Sequence, residues 1–165
     1  MPPLPFSTRR LECFAGSVAV ILMAEFGYAP AELAILRSTD RRFQPKHDAQ
    51  FRPGWQGMDQ MLAKINTFTR DNRRLTMVRV RVRGAFMPPL GWSLARDATH
   101  VVALYWTGNE DSSLVYDPAN VIDCRDAESI VESICPIPHS EWQKLGMNLD
   151  RVTFYKIMKD SAAQA

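Results

Sequence analysis

Residues 13–26 read CFAGSVAVILMAEF, and this segment limits the possible folds more than any other. At the helical period, Phe14, Ala15, Val18, Ala19, Val20, Ile21, Leu22, Met23 and Phe26 leave hardly any polar face. A helix that is apolar all round has no side to show to water, so it belongs at the centre of a fold. Gly27 follows as a stop, because glycine readily takes the left-handed conformation that ends a helix. The run 18–24 is far shorter than the ~20 residues that span a bilayer, so no membrane insertion is expected. The cover must come from the rest of the chain. Its 165 residues, 46% hydrophobic and 23% charged, suit one soluble domain with a real core.

The remaining segments supply candidates for that cover. Residues 1–10, with Pro2, Pro3 and Pro5, read as an extended arm. A short helix is expected over 30–37, with Pro30 near its first turn. Residues 38–56, broken by Pro45, Pro53 and Gly54, read as a long loop. Met58, Met61, Leu62, Ile65 and Phe68 then repeat at helical spacing, which predicts a third helix over 58–70. Beyond it the period changes to two. Val78, Val80 and Val82 alternate with Arg79, Arg81 and Arg83, as in a strand with its valines inward. "MPPLGWSLARDA" is a Pro/Gly-broken connection with a short strand near Trp92. Residues 100–107 read as a strand apolar on both faces, "GNEDS" as a turn, and 113–118 as the returning strand. A helix is expected over 126–134, with Asp126 as N-cap and Ile130, Val131 and Ile134 inward. His139 falls in a loop before a Ser-capped helix. Residues 151–158 read as a last strand and 159–165 as a frayed tail. Helices first and strands after predict an α+β fold in a single domain, 1–165.

Charge and cysteine usage exclude several classes. The formal net charge is only +2, so neither nucleic acid nor an anionic membrane is called for as a partner. The arginines at 79, 81 and 83 read as a solvated sheet face. The three cysteines, Cys13, Cys124 and Cys135, form no disulfide framework and no metal-ligand spacing. No metal and no organic cofactor is implied. Cys124 and Cys135 read as structural residues. The N-terminus lacks the pattern of a cleavable secretory signal. Reduced thiols point to the cytoplasm, and an effector exported without a cleavable signal would look the same.

The hairpin around "GNED" brings two functional groups together. A symmetric register sets His100, at the start of one strand, beside or close to Asp117, at the end of the next. Cross-strand neighbours lie about 4.5–5.5 Å apart at Cβ. The carboxylate can then accept the Nδ1–H of the imidazole, fix its tautomer and stabilise the imidazolium. A one-residue slip would put the two on opposite faces. Cys13 opens the apolar helix. There the positive end of the helix dipole and the unbonded N–H groups favour thiolate over thiol, and a nearby imidazolium favours it further. A helix-opening Cys with a strand-borne His oriented by an Asp is the layout of an activated nucleophile.

"ECFAGS" before an apolar helix, then "THVVALYW" and "VYDPAN", resembles the papain-like cysteine peptidase superfamily. The likeness is to its compact bacterial members, such as bacteriocin-leader peptidases and effector proteases. It covers residues 12–24 and 99–120 by motif and the rest by element order. The resemblance implies N-terminal helices, one of them buried, packed on a C-terminal antiparallel sheet. It implies a thiol hydrolase acting on a peptide or protein, with Cys13 as nucleophile, His100 as base and Asp117 as its orienter. A glutamine several residues before the cysteine is usual in these peptidases as an oxyanion donor. Here Ser7 stands six residues before Cys13, and the first glutamine is Gln44. The oxyanion would rest on the Cys13 N–H with Ser7, Thr8 or a loop residue. Trp55 and Trp92, read as loop residues beside a cleft, are candidate substrate contacts, and His47 is a reserve base. The same triad serves deamidases, transglutaminase-like enzymes and peptidoglycan amidases, and a papain-like domain can also act as a binding module.

Overall fold

The computed structural model describes residues 4–6, 13–29, 75–80, 87–97, 100–126, 129–147 and 151–159. The apolar segment forms helix α1, Cys13–Ala24. Ser17, Val18, Ala19, Val20, Ile21 and Leu22 are all fully buried, so every side of its middle turns meets protein. Val18, Val20 and Ile21 are β-branched, which makes its intrinsic helicity modest, and burial sustains it. Gly27 ends the run at φ 72°. The Tyr28 N–H then bonds back to the Leu22 carbonyl at 3.0 Å.

The strands form one sheet. They are β1 (Leu4–Phe6), β2 (Leu75–Val80), β3 (Gly91–Arg96), β4 (Val101–Trp106), β5 (Leu114–Asp126), β6 (Ser129–Pro138) and β7 (Thr153–Lys159). Their spatial order is β1-β6-β5-β4-β3-β7-β2. Every pairing is antiparallel. The described part of the chain is therefore α+β, with α1 packed against one antiparallel sheet.

The alternation of side chains gives the sheet two apolar faces. On one, Leu94, Val101, Ala103, Tyr116, Tyr155 and Ile157 pack with Val18 to Leu22 of α1. On the other, Ala95, Val102, Leu104, Val115 and Phe154 pack with Trp142 and Met147. Trp142 belongs to a 3-10 helix, His139–Leu145. A strand covered on both faces reads as a continuous apolar run, which is why 101–106 carries no polar residue.

Three expectations are corrected. The helix expected over 126–134 is strand: β5 runs on to Asp126, which pairs with Ser129 instead of capping a helix. Ile130, Val131 and Ile134 are β-branched, and the ladder from Val121 to Asp126 offers them a partner that local spacing cannot reveal. In β2 the buried residues are Leu75 and Met77, whereas Val78 is 44% exposed. β2 is an edge strand, and of its opposite row only Val80 reaches the second apolar cluster. Trp92 lies inside β3, not in a loop, and is 7% exposed. It packs against Tyr105 and Tyr116, with ring centroids 5.1 and 5.3 Å away. It is core, and a substrate contact is not its position. The expected helices at 30–37 and 58–70 and the loop at 38–56, with His47 and Trp55, lie outside the described residues. So do Ser7, Thr8, Arg81, Val82, Arg83 and the tail beyond Lys159. Of the expected arm, Leu4–Phe6 is extended and pairs with β6.

Candidate active site

His100 stands immediately before β4 and Asp117 lies in β5. The observed ladder pairs Ala103 with Tyr116 and Leu104 with Val115. This is shifted by two residues from the register that would set His100 directly opposite Asp117. An even shift keeps both on the same row of alternating side chains, so the two become diagonal neighbours. Diagonal neighbours are within reach of long side chains. His100 Nε2 and Asp117 Oδ1 are 2.9 Å apart. The nitrogen facing the carboxylate is thus Nε2, not the Nδ1 expected from the sequence. The side chains are 22% and 8% exposed, so this contact is largely withdrawn from water.

The local chain explains why Asp117 sits where it does. After Tyr116 pairs with Pro136, the ladder resumes only at Val121 with Ile134. The residues between, Asp117 to Asn120, face Cys135 alone and form a wide bulge. Pro118 has no N–H to give a ladder, so the strand must break there. The break is closed by side chains. Asp117 Oδ1 accepts the Ala119 N–H at 2.9 Å, and Asn120 Nδ2 donates to the Cys135 carbonyl at 3.0 Å. On the near side Tyr116, fully buried, anchors the strand in the core. Bulges re-aim side chains in this way beside functional sites.

A second carboxylate holds His100, and the sequence reading overlooked it. Asp97, 5% exposed, ends the β3 side of the β3–β4 hairpin. Its Oδ1 accepts the His100 N–H at 2.8 Å, and its own N–H donates to the His100 carbonyl at 3.1 Å. An Asp three residues before the N–H it binds is a common turn signal, so "DATH" carried a hint of it.

Helix α1 begins at this same margin of the sheet. Ser17 Oγ donates to the Val101 carbonyl at 3.0 Å, next to His100. At its other end, the ammonium of Lys159 lies 5.6 Å from the centre of the Phe26 ring. Lys159 ends β7, whose first residue, Thr153, pairs with Arg96 at the His100 margin. The helix therefore runs from the His100 margin at its N-terminus to the far margin at its C-terminus. Cys13, the first residue of α1, is one turn before Ser17, about 6 Å along the axis.

The other sequence candidates fall elsewhere. His139 is 6% exposed and edge-on to Trp106 and Trp142, with ring centroids 4.9 and 4.8 Å away. Burial lowers its pKa from the ordinary histidine value, against the opposing pull of Glu110. Neither ring nitrogen has a hydrogen-bond partner among the described residues. It is a core histidine on the face away from α1, not the loop residue expected. Cys135 is a free thiol, half-buried in β6, and Cys124 lies in β5. Among the described residues no three His, Cys, Asp or Glu side chains gather as metal ligands. None of the described helices is long and apolar enough to cross a membrane. The chain matches no known protein family, curated protein or solved structure.

Proposed function

We propose that this chain is a papain-like thiol hydrolase that cleaves a peptide or protein bond through Cys13, His100 and Asp117. The observation that carries the reading is the 2.9 Å contact of His100 Nε2 with Asp117 at the margin where α1 begins. A carboxylate on Nε2 favours the neutral tautomer with its proton on that nitrogen, which leaves Nδ1 as the basic atom. His100 then takes the Cys13 proton on Nδ1, and Asp117 stabilises the imidazolium that results. The thiolate adds to the substrate carbonyl, and the Cys13 N–H, free of helical bonding, helps hold the oxyanion. The amine leaves with the proton from His100, and water resolves the acyl-enzyme. A second oxyanion donor would come from Ser7, Thr8 or a loop residue. The substrate is a peptide or protein, met in the cytoplasm or after export of the chain.

The test is the alkylation rate of each cysteine by iodoacetamide across neutral and mildly acid pH, in the wild type and in His100→Ala. A Cys13 that reacts fast below about pH 7, and slows in the variant, is the expected result for a thiolate–imidazolium pair. A Cys13 no faster than an ordinary thiol overturns it and leaves a binding module, the reading that Ser7 in the usual glutamine's region favours. Product mass spectrometry separates the bond types. Cleaved chains mean proteolysis, and a gain of a single mass unit without cleavage means deamidation.

A further inference from the structure

His100 is held by two carboxylates, and the proposed mechanism uses only one. Asp117 meets the ring. Asp97 meets the backbone on both sides of the residue, taking the N–H on its carboxylate and giving its own N–H to the carbonyl. His100 precedes the first residue of β4; the bond from the Asp97 N–H to its carbonyl continues the β3–β4 ladder past Arg96 and Val101, but its own N–H is held by the Asp97 side chain. The ring direction depends on the φ and ψ of His100, because side chains leave the backbone in a few staggered rotamers. Without the Asp97 carboxylate the peptide that carries the His100 N–H loses that hold, φ of His100 can shift, and the ring is drawn off a carboxylate that a bulge holds in place.

Asp97 is also an expensive residue to keep for a turn alone. The residue is only 5% exposed, and burial of a charge is costly unless hydrogen bonds compensate. A polar turn residue at the surface would close a hairpin as well. We infer that Asp97 is a positioning residue for His100: by accepting the His100 N–H it sets the backbone from which the imidazole reaches Asp117. This assignment rests on the proposed role of His100.

The test uses three variants of the full chain and two readouts. NMR of the His100 ring nitrogens gives its tautomer and titration midpoint, and iodoacetamide gives the reactivity of Cys13. In the wild type the expected tautomer is Nε2–H, with its proton toward Asp117. Asp97→Ala removes the acceptor. The expected result is a mixture of tautomers, a lower His100 midpoint, and a fall of about tenfold in Cys13 alkylation at mildly acid pH, equal to one pKa unit of thiolate. Asp97→Asn retains an oxygen at the same place and restores the tautomer. Asp97→Glu keeps the charge but displaces the acceptor by a methylene, and it behaves as the alanine variant does; it decides the matter if Asp97→Ala does not fold. A folded Asp97→Ala or Asp97→Glu with wild-type His100 tautomer and midpoint overturns the assignment. A His100 response with no change at Cys13 upholds Asp97 and overturns the thiol hydrolase reading instead.

Discussion

His100 and His139 show how one residue type takes opposite roles through its neighbours. His100 has a carboxylate at 2.9 Å and is 22% exposed, so a proton can be exchanged and the charge compensated. His139 has two tryptophan edges and no hydrogen-bond partner among the described residues, so its charged form is disfavoured. The consequences are separable by experiment. Replacing Asp117 by Asn keeps an oxygen for the Ala119 N–H but removes the negative charge. Cys13 alkylation at mildly acid pH should drop by about 10-fold or more, and turnover of a substrate by about 10²–10⁴-fold. For His139 the sign follows from linkage. Its folded pKa is lowered, so below the ordinary value of about 6.5 the unfolded chain binds a proton that the folded chain refuses. Its contribution is complete above about pH 6.5 and is lost as pH falls toward the folded value. Urea unfolding from neutral to acid pH should show this loss in the wild type and a flatter profile in His139→Phe.

Among the elements, α1 and the β5 bulge decide where the candidate groups stand. Ser17 ties α1 to β4 with a buried hydrogen bond between residues 84 apart in sequence. Ser17→Ala should cost about 1 kcal/mol of stability in urea unfolding. It should also slow Cys13 alkylation, because the helix start is no longer tied to the strand that follows His100. Gly27→Ala places a side chain at φ 72° with open space around it, so strain and not collision sets a cost of about 1 kcal/mol. The helix itself was legible in the sequence because its period and its stop are local. β6 was not. Ile130, Val131 and Ile134 fit one helical face as well as a strand, and only the partner strand 121–126 settles the choice.

Over the whole described structure, stability comes from a sheet with apolar layers on both sides. Leu94 belongs to the α1 layer and Leu104 to the other, and both are fully buried. Leu→Ala at either should cost about 2–5 kcal/mol. Met158, 50% exposed on β7, should lose no more than about 0.5 kcal/mol when replaced by Ala. Equal losses at Leu94 and Leu104 would show two layers of equal weight. A negligible loss at Leu104 would mean that the Trp142 layer adds little.

The sequence by itself determined the features with a local physical cause. These are the all-round apolar helix and its glycine stop, the doubly covered strand at 101–106, and the hairpin that sets His100 and Asp117 on one row. That last inference survived an error of two residues in register, because a strand repeats every two residues and an even shift preserves the face. Tertiary structure alone decided the rest. β7 inserts between β3 and β2, β6 is a strand, and Trp92 is core. The ring nitrogen that meets Asp117 is Nε2, and Asp97 holds the backbone behind it. Each of these depends on contacts between distant segments or on the aim of a single side chain, and neither leaves a period in the sequence.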